Sequence, residues 1–326
     1  MKKGLHPAFI RCIQWGILII IAYISIFVGV KEMPFLGMFS LDQEQMRVLI
    51  ISRFPRLLSI LITGSSLSIC GLIMQTITQN RFMSPTTAGT AEWCRFGVML
   101  VILLFPGTSV FFRVTVAFIV SAAGTMLFMG ILARIQYQNV ILVPLIGMML
   151  GSVVSAVTTF FAYQFDIIQN MNAWLLGNFS LVIQGNYELL YLSIPFMLLG
   201  YLYANHFTIA GMGKDMTTGL GLNHAHIMRV GLVIVALISS ITIVSVGNIP
   251  FLGLIIPNIV SLYRGDSLKK SLFDTAWLGA LFVLVCDMAG RMLIFPYEVS
   301  IGVMVSVIGS IIFLLILFRR NKHAAI

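Results

Sequence analysis

Two ionisable residues stand inside an apolar run: Asp287 and Arg291, in Leu284-Val-Cys-Asp-Met-Ala-Gly-Arg291. Four residues apart on a helix, they share a face and can pair. A carboxylate at membrane depth is also what a proton relay uses, but a single pair near the outer end of a run reads first as structural. Glu92 with Arg95 invites the same reading. Gly211-Met-Gly-Lys-Asp215 has the look of a phosphate loop. Such a loop needs four residues between its glycines and a Ser or Thr after its Lys. Here one residue intervenes and an Asp follows, so the backbone cradle is missing and the carboxylate repels phosphate; no ATPase is expected in this chain. His224 and His226, with His206 upstream, have no carboxylate or thiol beside them, so no metal site is expected. Cys12, Cys70, Cys94 and Cys286 sit singly in or beside apolar segments and read as small buried hydrophobes. The 19 methionines read as apolar filler, with a Met-lined path for an organic ligand as the sharper alternative. No HExxH and no nucleophile–base pairing occurs, so an intramembrane enzyme has no support.

The elements that must position these groups are long apolar runs. The chain has 326 residues, 59% hydrophobic and 10% charged, whereas a soluble domain carries about 25% charged residues. So few charges cannot cover a water-facing surface. A helix crosses a bilayer in roughly 20 residues, and backbone groups in lipid must be paired internally. The runs are continuous rather than alternating, which selects helices. Ten spans are expected, at about 13–30, 57–78, 93–107, 110–132, 140–163, 189–204, 227–247, 251–263, 272–295 and 301–318. The expected fold class is all-α, a single transmembrane domain over residues 1–326. Lys2, Lys3 and Arg11 before the run 13–30 imitate the start of a signal peptide, but the run is long and no small-x-small site follows, so an uncleaved first span is expected.

Net charge is +9, which in a soluble protein would raise nucleic acid as a partner. Placement explains it otherwise. With both termini cytoplasmic, Lys31, Arg47, Arg53, Arg56, Arg113 and Arg291 lie outside, and the other 14 of the 20 Lys and Arg lie inside. That asymmetry is the positive-inside pattern, so lipid and no nucleic acid is the expected surrounding.

Residues 205–226 are the longest polar interruption, yet Phe207, Ile209, Met212, Met216, Leu220 and Leu222 keep it apolar on one face, punctuated by Gly211, Gly213, Gly219 and Gly221. Short amphipathic helices docking a soluble partner are expected there. Each half also holds a broken stretch, residues 80–89 and 246–257. Interrupted apolar segments at matching places point to an inverted repeat around a transport path.

These strings, in order, carry a resemblance. Arg53-Phe-Pro-Arg56-Leu-Leu, Gly64, Gly71-Leu-Ile-Met-Gln75 and Asn80…Pro85…Gly89 resemble the opening signature of the FecCD/BtuC-type permeases, which serve ATP-binding-cassette importers of iron siderophores and cobalamin. Leu220-Gly-Leu-Asn223, Gly247-Asn-Ile-Pro-Phe-Leu-Gly253, Asp287-Met-Ala-Gly-Arg291 and Glu298-Val-Ser-Ile-Gly302…Gly309 continue it. The resemblance covers about residues 45–318 and implies a type II importer permease fold. It also implies a second permease (the same chain or a paralogue), two cytoplasmic ATPases holding ATP-Mg, and an extracytoplasmic binding protein. No cofactor is implied on this chain, and its place is the bacterial cytoplasmic (inner) membrane. It assigns Arg53, Arg56 and Arg291 to the binding protein, Thr217, Gly219, Leu220 and Gly221 to the ATPase, and Met148, Ser152, Ser155, Met304 and Ser306 to the path. Departures are Arg81-Phe-Met-Ser84 after Asn80, Asn258 where His is usual, and Ser310 after Gly309. Ser84-Pro-Thr-Thr-Ala-Gly-Thr90 is similar to the catecholate-type or mixed siderophore branch. Cobalamin or haem is the alternative within the family, and an ion-coupled secondary transporter the alternative outside it. The latter would require several buried carboxylates in facing spans, where Asp287 is the chief one offered.

Overall fold

The structure, a computed structural model, describes residues 7–28, 42–86, 89–134, 142–182, 187–265 and 267–324. Lys2, Lys3, Lys31, Thr87, Ala88 and the start of the expected fifth span fall outside these. The described residues form fourteen α-helices: α1 Pro7–Phe27, α2 Gln43–Val48, α3 Phe54–Ile77, α4 Thr90–Leu104, α5 Val110–Arg134, α6 Leu142–Gln164, α7 Ile168–Leu175, α8 Ser193–Leu202, α9 Ala204–Ala210, α10 Lys214–Gly219, α11 His224–Val246, α12 Leu252–Arg264, α13 Leu268–Leu293 and α14 Ile301–Ala324. Each expected span coincides with a helix, so the all-α reading holds. Among the described residues, 6 helices are able to cross a membrane by length and composition, and α1, α8 and α12 are shorter apolar helices.

One boundary differs. The apolar run puts the start of the second span at residue 57, yet helix begins at Gln43 and runs to Ile77. Asp42 caps it, taking the Gln43 N–H at 2.8 Å while Gln45 returns to the Asp42 N–H. Arg47, Arg53, Arg56 and Pro55 make this stretch look like a loop. Proline removes an N–H and clashes with the carbonyl four residues back. The backbone meets this with a π-helical turn over Leu49–Arg53, just ahead of Pro55.

α3 is the hub, the most buried of the long helices. Small residues let its neighbours approach closely. A Cβ on Gly64 would lie 2.7 Å from the Gly279 carbonyl of α13, and one on Gly71 would overlap the backbone of Gly253 in α12. Such crossings are how helices associate where no hydrophobic force distinguishes protein from lipid. Buried hydroxyls nearby bond their own helix, as Ser239 to Val235 O at 2.7 Å and Thr242 to Ile238 O at 2.9 Å.

The two broken stretches lie against each other. Gln75 Nε2 donates to Leu254 O at 3.1 Å, and Asn258 Nδ2 donates to Arg81 O at 2.8 Å. Two extended segments and the first turn of α14 also meet: Asn248 N donates to Leu175 O (2.9 Å), Asn178 N to Val246 O (3.1 Å) and Gly302 N to Gly177 O (3.1 Å). Gly247, at φ 95°, makes the turn that brings residues 246–248 into this junction.

Candidate functional site

Arg53, Arg56 and Arg291 lie in one cluster. Arg56, from the first turns of α3, reaches Asp287 Oδ1 of α13 at 2.8 Å and Glu298 Oε2 at 2.9 Å. Arg291 Nη2 lies 2.8 Å from Asp287 Oδ2 as an ion pair, at an angle that makes no hydrogen bond. Arg291 also donates to Ser25 O at 2.9 Å and to the Ser25 hydroxyl at 2.6 Å, which fastens α1. Arg53 donates to Ile26 O, and the Ser180 hydroxyl donates to Glu298.

Spacing alone gave the Asp287–Arg291 pair; Arg56, Glu298, Ser180 and Ser25 join it only through the fold. Their side-chain exposures separate the roles. Asp287 and Arg291 are 3% and 5% exposed, Arg56 14% and Glu298 25%. Arg291 therefore faces α1 and Asp287 rather than the outside, whereas Arg56 and Glu298 form the accessible edge. Glu298 lies between α13 and α14. Burial alone would raise its pKa, but the Ser180 hydroxyl and the Arg56 and Arg291 guanidinia outweigh this and hold it below the ordinary glutamate value. A second buried carboxylate escaped the sequence: Asp274 pairs with Arg264 across the α12–α13 turn and accepts from Gln14 of α1 at 3.0 Å. The signal was present, an Asp and an Arg flanking a short turn.

Residues 205–226 do form short helices, α9 and α10. Phe207 is fully buried against Ile73, Ile77 and Gly231, so α9 belongs to the core. Met212, Met216 and Leu220 stand exposed at four-residue spacing, with exposed Gly219 and Gly221 in open space. Thr217 departs from this group. It is buried, donates to Gly213 O at 2.7 Å and lies 3.4 Å from His224 Nδ1, so it holds α10 onto α11.

On α6, Met148 and Ser152 are exposed and Ser155 half-buried. Ser152, Ser155, Ala156, Thr159, Tyr163 and Gln164 line an open groove of about 670 Å³. α14 is turned differently from expectation. Met304 is buried behind Gly290, and the Ser306 hydroxyl is spent on Gly302 O at 2.5 Å. The exposed stripe of α14 is Val303, Val307, Ile311 and Leu314. Glu92 lies beside Gly151 of α6, and Arg95 donates to Asn172 at 3.4 Å rather than to Glu92. Among the described residues no group of His, Cys, Asp and Glu is arranged to hold a metal.

A helical bundle apolar on its outer faces, with two broken stretches lying against each other, is a polytopic membrane protein. A sequence model of the FecCD transport family matches residues 17–319, and the chain belongs to that family. It is 54% identical over 94% of its length to the petrobactin import system permease protein YclN of Bacillus subtilis, covering 98% of that protein. It is 39% identical over 94% of its length to the petrobactin import permease FatD of Bacillus anthracis, covering 90% of it. The ferric-anguibactin permease FatD of Vibrio anguillarum is 38% identical over 91% of this chain and 95% of its own. A solved inward-facing metal-chelate type ABC transporter shares the fold, with TM-score 0.81 and 22% identity over 95% of this chain and 99% of that one.

Proposed function

We propose that this chain is the permease subunit of an ATP-driven importer that moves a ferric siderophore, of catecholate or mixed type, into the cytoplasm. The observation that carries this reading is 54% identity over 94% of the chain to a petrobactin import permease. The chain crosses the bacterial inner membrane ten times with both termini cytoplasmic, beside a second permease. ATP is bound and hydrolysed by two separate ATPases, which seat on Met212, Met216, Gly219, Leu220 and Gly221; Thr217 supports that surface from within. An extracytoplasmic binding protein docks at Arg53 and Arg56, where an incoming carboxylate exchanges with Glu298, while Arg291 braces the cluster from behind. Ser152 and Ser155 of α6 line the path, with Met148 at its edge; Met304 and Ser306 shape the opposite wall from inside α14.

The absence of a local phosphate loop fits hydrolysis on another subunit. Asp287 sits between two guanidinia and Asp274 pairs with Arg264, as structural anions do, which weighs against an ion-coupled carrier. The test is uptake of radiolabelled iron as ferric petrobactin in cells lacking this chain, with and without complementation. Loss and recovery are expected, together with insensitivity to a protonophore while ATP is maintained. Uptake that is unchanged by the deletion, or that collapses with the proton gradient at constant ATP, refutes the reading.

A further inference from the structure

α8 and α11 part at one end to leave a groove of about 450 Å³. Its walls are apolar: Phe196 and Leu199 of α8 face Val230, Val233 and Leu237 of α11. Its mouth is not. Tyr203, His226 and Arg229 gather there, where α8 ends and α11 begins. Arg229 spends only its Nε, on Ala225 O at 3.3 Å. Among the described residues its two terminal amino groups have no partner, and neither does the His226 ring or the Tyr203 hydroxyl. The Tyr203 ring is fixed beside His206, with centroids 5.4 Å apart. The amide end of α11 opens onto the same place, since Asn223 caps the helix through the His226 N–H at 3.0 Å.

From this arrangement we propose that the groove is a binding site for one anionic phospholipid. Its phosphate sits against Arg229, His226 and the Tyr203 hydroxyl, and an acyl chain lies between α8 and α11. The chemistry matches the two ends of such a molecule. The walls offer nothing polar to an extended peptide, whose backbone would lose its hydrogen bonds there. The mouth offers cationic and hydroxyl donors to a phosphate and nothing to a zwitterion's ammonium group. Basic pockets between helices at a membrane face recognise anionic head groups in this way.

The test uses the full chain reconstituted in nanodiscs of phosphatidylcholine, doped with phosphatidylglycerol, cardiolipin or neither. Lipids retained after mild detergent extraction are counted by native mass spectrometry, and thermal unfolding is followed in parallel. Preferential retention of the anionic lipid with a raised Tm is expected. R229Q should weaken retention about fivefold, as one interfacial cation is worth, and V233W should exclude the lipid by filling the groove while leaving Arg229, His226 and Tyr203 in place. V233W also separates loss of the site from loss of the fold, because its Tm in pure phosphatidylcholine should equal the wild type's. Equal retention of zwitterionic and anionic lipid overturns the proposal. So does the same stabilisation from inorganic phosphate alone, or disulfide crosslinking of V233C between two copies of the chain.

Discussion

Replacing Asp287 by Asn tests whether the arginine–carboxylate cluster is structural. The Asp287 carboxylate and the Arg291 guanidinium are 3% and 5% exposed, and Arg56 is 14% exposed on the other side. Asparagine keeps the volume and removes the charge, leaving two guanidinia facing each other out of water. Breaking a buried pair by removing one partner costs about 3–5 kcal/mol. Glu298 still neutralises Arg56, and Ser25 and Val28 still accept from Arg291, so the lower end applies, about 3 kcal/mol. At ~1.5 °C per kcal/mol for a chain of 326 residues, from about 2.1 cal/mol/K of unfolding entropy per residue, Tm should fall by about 4–5 °C. Tryptophan fluorescence in nanodiscs reads this. Arg291→Gln alone should also destabilise, and the double variant should lose less than the sum, by more than about 1 kcal/mol, because the two side chains interact directly. A Tm within about 1 °C of wild type, or strict additivity, refutes the reasoning. If stability were unchanged while uptake failed, Asp287 would be acting chemically.

Four further expectations are independent of that cluster's core. Because Glu298 is held below its ordinary pKa in the folded protein, its contribution is fully present above the ordinary glutamate value. It fades as pH falls through the depressed value, so the acid side of a Tm–pH curve should lose a step in Glu298→Gln. Leu220→Asp puts a charge on the exposed stripe of α10 and should abolish uptake, with the protein reaching the membrane at normal levels and its Tm within about 1 °C; retained uptake with normal ATPase coupling counts against the docking surface. Ser155→Trp should obstruct the α6 groove and cut uptake at least tenfold without affecting assembly, which quantitative blotting of membranes checks. Gly71→Val sets a branched side chain onto the Gly253 backbone and should prevent stable folding, seen as loss of the monodisperse peak in detergent chromatography.

The helices were legible because continuous apolar runs admit one interpretation in lipid and because the broken stretches 80–89 and 246–257 punctuate them. The early start at Gln43 was hidden, since three arginines and a proline outweigh the helical signal until the π turn is known. Site residues were legible where spacing is local, as for Asp287 with Arg291. They were illegible where partners come from far along the chain, as Arg56 with Glu298 or Gln14 with Asp274. Direction around a helix was the other gap: α14 is apolar on every side, so nothing in its sequence says that Met304 turns inward and Val303 outward. The same holds for Thr217, a polar residue in a polar loop, buried because its hydroxyl closes a turn.

The unbroken helix from Gln43 to Ile77 has a mechanical consequence. Its 35 residues extend about 52 Å at ~1.5 Å per residue, against roughly 30 Å of hydrocarbon. Some 20 Å must therefore tilt or stand clear of the lipid. A load applied at Arg56, on the α3 side of the π turn, passes along one rod to the segment 80–85 at the other end. The crossings at Gly64 and Gly71 clamp that rod to α13 and α12, so the three helices shift as one body. The π turn at Leu49–Arg53 is then the place where the overhang can flex without moving the rest, and it sits beside Arg56.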